Sequence, residues 1–363
     1  MRTQAVIGLG FGDEGKGIVT DYLCSVTESP LVVRFSGGHQ AGHTVVLDGV
    51  RHVFSNFGSG TLRGAPTMWS KHCTVEPVGL FNEYDILMMK GIIPKLFIST
   101  KCPITTPYDI HENRRDENIL ENGSCGVGVG ATIAREEAHY SLTFGDLFYP
   151  SIVAIKLQNI QRYYGYKVNL DRFYEAINRL MNHPQIMPVD NFSIEENIIF
   201  EGSQGLLLDE KIGFFPHVTR GFTGTTNIAK YRPRLFMVTR AYQTRHGNGP
   251  MTNESISHNI TLDPLETNVE NEFQGKFRRS LLDVDLLRYA ISKDDYIRKN
   301  TNKSLVITCL DHIEDDYRFT YKRAITNCLT KGEFIDRIRL ILNFKDVYIS
   351  ESNESKNIYK WER

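Results

Sequence analysis

The chain reads as an α/β protein: a mostly parallel central sheet flanked by helices, with a P-loop-like nucleotide site at the carboxyl ends of strands and with helical insertions. Three observations predict this. Short apolar runs recur, and each leads into a Gly-rich or polar turn. Helical patterns separate the runs, the alternation that builds parallel sheets. The first turn has phosphate-binding character, and open parallel sheets place ligands beyond the carboxyl ends of their strands.

Taken in order, Ala5 to Leu9 leads into G-F-G-D-E-G-K-G, Gly10 to Gly17, and a helical pattern from Gly15 to Val26. Leu31 to Phe35 leads into S-G-G-H-Q-A-G-H-T, Ser36 to Thr44. Residues from about Pro107 to Asn182 are more helical, Leu170 to Met181 most clearly, and read as an inserted subdomain that carries G-S-C-G-V-G-V-G, Gly123 to Gly130. Asn197 to Phe200 leads into E-G-S-Q-G, and Leu235 to Thr239 leads towards T-R-H-G-N-G-P, Thr244 to Pro250. Asp283 to Ile291 has a helical pattern, and Leu305 to Thr308 leads into Cys309, Leu310 and Asp311. No convincing linker interrupts the chain, so residues 1–363 are expected to form one unit. The polar stretch Glu351 to Lys360 is expected to be a surface tail or a loosely packed last element.

Composition narrows the classes. With 363 residues, 41% hydrophobic and 23% charged, the chain has the make-up of a soluble globular protein with a large core. A formal net charge of −1 argues against a general nucleic-acid binder. No apolar run approaches the roughly 20 residues of a membrane span. Six cysteines show no C-x-x-C pair and no disulfide or zinc spacing. With no signal peptide evident, reduced thiols and a cytoplasmic location are expected.

The first loop carries the most chemistry. Gly10, Gly15 and Lys16 meet the spacing G-x-x-x-x-G-K, but Gly17 stands where a P-loop has the Ser or Thr that holds Mg²⁺. Asp13 and Glu14 lie inside the loop. An acid facing a triphosphate is repelled unless it binds a metal or takes a proton, so phosphate chemistry with a built-in carboxylate is expected. The plainer alternative is a helix N-terminus with acids in its first turn. His43 follows a Gly-rich strand end and could protonate a developing oxyanion; otherwise His39 and His43 are turn histidines bonded to backbone. The Gly123 to Gly130 turn could present N–H groups to an anion or be a flexible loop. Gln204 and Thr219, Arg220 and Thr223 lie in polar loops that read equally as ligand contacts or surface. Arg245 and the run Lys276, Arg278, Arg279 suit a carboxylate- or phosphate-bearing substrate, against the alternative of a solvated basic face.

These motifs together resemble those of the adenylosuccinate synthetase family, over most of the chain. G-D-E-G-K-G at Gly12 to Gly17 is similar to that family's signature, and G-G-H-Q-A-G-H-T to its G-G-H-N-A-G-H-T. F-E-G-S-Q-G-L-L-L-D at Phe200 to Asp209, F-P-H-V-T, A-Y-Q-T-R-H-G-N-G-P at Ala241 to Pro250 and N-E-F at Asn271 to Phe273 add further matches. The resemblance implies a ligase in which a triphosphate phosphorylates O6 of IMP and L-aspartate then displaces the phosphate. It implies catalytic roles for Asp13 and His43. Gly12, Asp13, Glu14, Gly15, Lys16, Gly17, Gly42, His43, Thr44 and Asp311 would bind the triphosphate. Gln40, Ser124, Cys125, His139, Gln204 and Thr219 would bind the purine monophosphate. Arg245, Lys276, Arg278 and Arg279 would bind aspartate. Mg²⁺ would sit on Asp13 and the Gly42 carbonyl. Small-molecule substrates and a homodimer are implied, with no nucleic acid or membrane partner.

The chain also departs from the family pattern. It is shorter, its Arg-rich loop is reduced to Q-G-K-F-R-R, and its phosphate turn is S-C-G. The Arg that a neighbouring subunit lends to the substrate phosphate aligns with His139, with Arg135 a nearby substitute. The guanine-reading T-K-L-D is T-C-L-D at Thr308 to Asp311. GTP and ATP therefore remain alternatives. So do IMP and dGMP or GMP, since phage relatives of the family act on dGMP. A nucleotide-binding sensor without turnover is the reading from another class.

Overall fold

The computed structural model describes residues 3–116, 123–190, 197–261, 263–268, 273 and 275–362. In chain order its strands are β1 (Thr3–Gly8), β2 (Pro30–Arg34), β3 (His43–Leu47), β4 (Val50–Phe54), β5 (Thr67–Trp69), β6 (Leu96–Ser99), β7 (Ile186–Val189) and β8 (Asn197–Gly205). They continue as β9 (Arg234–Arg240), β10 (Tyr242–His246), β11 (Phe277–Asp283), β12 (Lys303–Thr308), β13 (Arg318–Tyr321), β14 (Ala324–Asn327), β15 (Asp346–Ile349) and β16 (Tyr359–Lys360).

The main sheet runs β16-β15-β12-β9-β1-β8-β2-β5-β6-β7. Every neighbouring pair in it is parallel except β15 with the two-residue β16. The five apolar runs picked out in the sequence are its five contiguous central strands, β12, β9, β1, β8 and β2. Strands covered on both faces need apolar side chains on both, and the alternation is plain. Ala5, Ile7, Val33 and Leu305 pack into one core, while Val6, Val32, Ile199 and Val306 pack into the opposite one.

Helices Pro107–Arg115, Val129–Glu137, Pro150–Tyr164 and Asp171–Met181 lie between the adjacent strands β6 and β7. The first starts at a Thr106–Asp109 capping box with Pro107 at its first position. The last turns Phe173, Ala176, Ile177 and Leu180 into a core shared with Phe81 and Tyr84 of helix Pro77–Met89. Two smaller sheets, β3-β4 and β10-β11-β13-β14, stand beside the main one. The β3-β4 hairpin leans on helix Lys16–Ser25, and β10 follows directly from β9.

The C-terminal stretch is not a loose tail. Ser355 is 2% exposed and its hydroxyl bonds the Asp21 carboxylate, Ile358 is buried, and β16 pairs with β15. Its polar composition hid an element anchored by buried Ser355 and Ile358, while Tyr359 stays exposed. No described helix is long and apolar enough to cross a membrane.

Candidate active site

A cavity of about 1130 Å³ opens beyond the carboxyl ends of β1, β2, β8 and β9. Its walls include residues 11–17, Gln40 to Thr44, Ser124, Cys125, Gln204, Thr219, Arg240 and Arg245. The turns that follow four separate strands thus meet at one place, as the parallel sheet requires.

The Gly10 to Gly17 loop is built around its own acid. Glu14 Oε1 accepts from the N–H groups of Gly10 (3.0 Å) and Gly12 (3.1 Å), and Oε2 pairs with Lys16 Nζ at 2.6 Å. Both charges are buried. Glu14 therefore holds the loop closed and neutralises Lys16, while Asp13 turns outward. Asp13 has a left-handed backbone, with φ 59, between two glycines' worth of tight turn. Its carbonyl accepts from Arg240 Nε at 2.5 Å, and Thr244 and Thr308 hydroxyls hold the carbonyls of Gly12 and Glu14. Three neighbouring strands thus fix the main chain and leave the Asp13 carboxylate to the cavity. Burial raises its pKa, with Arg240, His246 and Lys16 working in the opposite direction.

The missing P-loop hydroxyl has a steric cause. A Cβ on Gly17 would stand 2.9 Å from His43 Cβ and 3.2 Å from both Ser59 Oγ and the Thr44 carbonyl. Serine is excluded because β3 comes down onto the helix here, and that approach brings His43 to the loop.

His43 is buried. Its Nδ1 lies 2.7 Å from Glu201 Oε1, and its Nε2 lies 3.4 Å from the Ser203 carbonyl. Glu201 is 0% exposed and also accepts from Ser59 through N–H (3.2 Å) and hydroxyl. Burial lowers the His43 pKa, and Glu201 partly restores it. A carboxylate behind an imidazole fixes which nitrogen faces outward. The E-G-S-Q-G motif was noted for Gln204, yet Glu201 is the member that meets His43. His39 does not line the cavity, and burial holds its imidazole down to about 4.

On the other wall, Arg245 stacks over Phe11, with its guanidinium carbon 4.2 Å from the ring centroid. It donates to the carbonyls of Pro250 (2.8 Å) and His217 (2.9 Å), and its Nε has no hydrogen-bond partner among the described residues. Arg278 is its register partner on β11. Burial and the Arg278 charge depress Arg245 to about 10. Two guanidiniums side by side repel, and the Glu254 carboxylate paired with Arg278 offsets part of that repulsion.

The cavity gathers Gly12 to Gly17, Gln40, Gly42, His43, Thr44, Ser124, Cys125, Gln204, Thr219 and Arg245, and leaves out five expected residues. Asp311 is exposed beside His312, outside the walls. His139 is exposed past the end of helix Val129–Glu137. Lys276 is exposed, Arg278 pairs with Glu254, and Arg279 points to the Ile260 carbonyl. Arg278 and Arg279 are consecutive on a strand, so they leave it on opposite faces and cannot form one clamp. Arg135 is no substitute for a lent arginine: it is 0% exposed and locked to Asp109. Asn271 and Glu272 of N-E-F lie outside the described residues. Sequence reasoning missed Arg240 and Glu266, an ion pair at 3.1 Å on the cavity wall. Their separation in sequence gave no signal of it.

A parallel α/β sheet with a phosphate-type loop, an outward carboxylate and a carboxylate-backed histidine defines a nucleotide-handling enzyme. The profile of the adenylosuccinate synthetase family matches residues 5–331, and the chain belongs to that family. Adenylosuccinate synthetase 1 of Pseudoalteromonas translucida is 32% identical over 328 residues, covering 80% of this chain and 74% of that protein. The Hahella chejuensis adenylosuccinate synthetase is 32% identical over 345 residues, 86% and 78% of the two chains. The solved structure of fully ligated adenylosuccinate synthetase from Plasmodium falciparum superposes with a TM-score of 0.76 at 17% identity, covering all of both chains. The cyanophage S-2L succinoaminodeoxyadenylate synthetase, solved with dGMP and with dATP as energy donor, gives a TM-score of 0.68 at 16% identity over 99% of this chain and 95% of that one. The two structural likenesses concern the fold.

Proposed function

We propose that the protein joins L-aspartate to C6 of a 6-oxopurine nucleoside monophosphate, IMP giving adenylosuccinate, through a 6-phosphoryl intermediate formed from GTP or ATP. The observation that carries this reading is the convergence of Asp13, Lys16, His43 and Gln204 on one cavity in a chain of this family. A protein that only bound nucleotide would have no use for a base and an acid facing the same space.

In this reading Asp13 accepts the N1 proton of the purine, which makes O6 nucleophilic towards the γ-phosphoryl group. His43, backed by Glu201, acts in its doubly protonated form, with Nδ1–H held by Glu201 and Nε2–H donating to the charge that develops on the departing diphosphate. The loop amides and Lys16 face the phosphates, together with Gly15, Gly17 and Thr44. Gln40, Gln204, Ser124, Cys125 and Thr219 hold the monophosphate substrate. The amine of aspartate then attacks C6 and the phosphate leaves. Arg245, on the cavity wall with its Nε unpartnered among the described residues, supports a site for a carboxylate of aspartate.

Mg²⁺ fits the residues present. No cluster of three His, Cys, Asp or Glu side chains suits a metal among the described residues. Asp13 and Gly42 nevertheless line the same cavity, and their carboxylate and carbonyl are the oxygens that would hold it. Mg²⁺ characteristically takes one or two carboxylates and fills its shell from substrate phosphates and water. When bound it would neutralise phosphate charge. Residues 1–363 act as one unit in this proposal, with 107–182 as an insertion. A homodimer in the cytoplasm goes with it, and sedimentation of the purified protein tests the dimer.

The same chemistry on dGMP or GMP is the second reading. The fold likeness to the cyanophage enzyme solved with dGMP supports it; Asp13 argues mildly against it without excluding it, because an outward carboxylate can accept from both N1–H and the 2-amino group of guanine. Product mass analysis decides: IMP, GMP and dGMP, each with ATP or GTP, Mg²⁺ and L-aspartate. One succinyl-purine nucleotide names both substrates. No product in any combination, with nucleotide still bound, overturns the ligase reading.

A further inference from the structure

Arg34, the last residue of β2, is 1% exposed and does not line the cavity. Its guanidinium packs against Trp69, and none of its three side-chain nitrogens has a hydrogen-bond partner among the described residues. An arginine placed for packing alone would have its donors satisfied, because it cannot shed its charge. A fixed cation in the core is costly unless an anion answers it. The carboxylate whose charge it acts on, without a direct ion pair, is Glu201, the register partner of Arg34 across the β2–β8 ladder.

The charged groups facing this point are few. Glu201 comes from β8, His43 from β3 and Lys16 from the loop helix, and Lys16 is already neutralised by Glu14. The field of Arg34 therefore falls on Glu201 and, through it, on His43. Burial works to raise the Glu201 carboxyl, but His43, Arg34 and Ser59 overcome it and hold it down to about 2. An ionised Glu201 can only accept, so His43 must carry a proton on Nδ1 and aim Nε2 away from the carboxylate, towards the Ser203 carbonyl side. A protonated Glu201 would donate to Nδ1 and reverse the arrangement.

We propose that Arg34 is a positioning residue: from outside the cavity it keeps Glu201 an anion and so fixes the tautomer and direction of His43. The inference rests on the ligase reading for its kinetic test, but not for its spectroscopic one. In protein labelled with ¹⁵N-histidine, long-range proton–nitrogen correlation should show His43 protonated at Nδ1. The signal is assigned by its loss in His43→Asn. A bare Nδ1 in the unaltered protein overturns the proposal with no need for a folded variant. Arg34→Gln and Arg34→Met should shift the tautomer, lower kcat about tenfold or more, and leave each KM within about twofold. Arg34→Lys should restore most of both. In a Glu201→Gln background, Arg34→Gln should cost less than about twofold further. An unchanged tautomer, or the full kcat loss repeated in that background, refutes the proposal. If the unaltered protein makes no succinyl-purine product, the ligase reading fails while the tautomer result stands by itself.

Discussion

Arg135→Met should cost about 6 kcal/mol of folding stability without acting as the loss of a phosphate ligand. Arg135 and Asp109 are both 0% exposed, joined at 2.9 and 3.2 Å in a two-point contact. Asp109 also accepts from the Thr106 N–H and hydroxyl and from the Tyr164 hydroxyl. Those neutral donors cannot replace a guanidinium. Removing one partner of a buried pair costs about 3–5 kcal/mol, because the other charge stays buried. Arg135 further donates to the carbonyls of Ile104 and Tyr140, each bond worth about 1 kcal/mol net. Urea denaturation followed by far-UV circular dichroism measures the loss. His139→Ala, at an exposed position, should stay within about 0.5 kcal/mol. A stability loss below about 1 kcal/mol in Arg135→Met, together with a selectively raised KM for the nucleoside monophosphate, would refute the reasoning. That result would mean that Arg135 leaves its pair to hold a phosphate.

Three other substitutions test separate parts of the site. Gly17→Ser should lower turnover at least about tenfold, since its Cβ would press on His43 at 2.9 Å; full activity would show that β3 yields easily. Glu201→Gln should lose about 3 kcal/mol at pH 7, the worth of holding a carboxyl at about 2 rather than 4.5. Because the folded-state pKa is the lower one, that stability is present above pH 4.5 and lost as pH falls towards 2. The deficit of the variant should therefore shrink below pH 4.5 in denaturant titrations, and a constant deficit would contradict the assignment. Arg245→Gln should raise KM for aspartate about 10- to 100-fold, the worth of a charge-assisted bond, with KM for the nucleotides unchanged; equal effects on all substrates would show that Arg245 does not hold the aspartate.

The central strands were legible because burial on both faces leaves an uninterrupted apolar run such as Leu31 to Val33. β5 and β6 are three and four residues long, too short to stand out. β11 reads F-R-R-S-L-L-D, which looks like a basic loop until pairing with β10 makes it a strand. The same mistake of period made Arg278 and Arg279 look like one cluster. In the site, the glycines and Asp13 were visible as a local pattern. Glu14 looked like a second acid for the substrate, and only the folded loop shows it turned inward onto Lys16. The Glu201–His43 contact joins positions 158 apart in the chain, and no spacing rule reaches that far. Arg34 and Arg240 sit at strand ends, where their charge alone did not separate them from surface residues.

The two borders of the large sheet bear on how the protein behaves at high concentration. An open sheet offers a row of free N–H and C=O groups at each side, onto which another chain can add a strand. On one side the outermost strand β7 reads I-M-P-V, and Pro188 has no N–H to offer a newcomer. On the other, β16 contributes only Tyr359 and Lys360, runs against the direction of the rest, and places the Lys360 ammonium 2.7 Å from Asp346. Neither border is long or apolar enough to serve as a template. The short reversed strand β16 is thus a poor template for a further strand, and removing it would leave β15, with buried Val347 and Ile349, as the border.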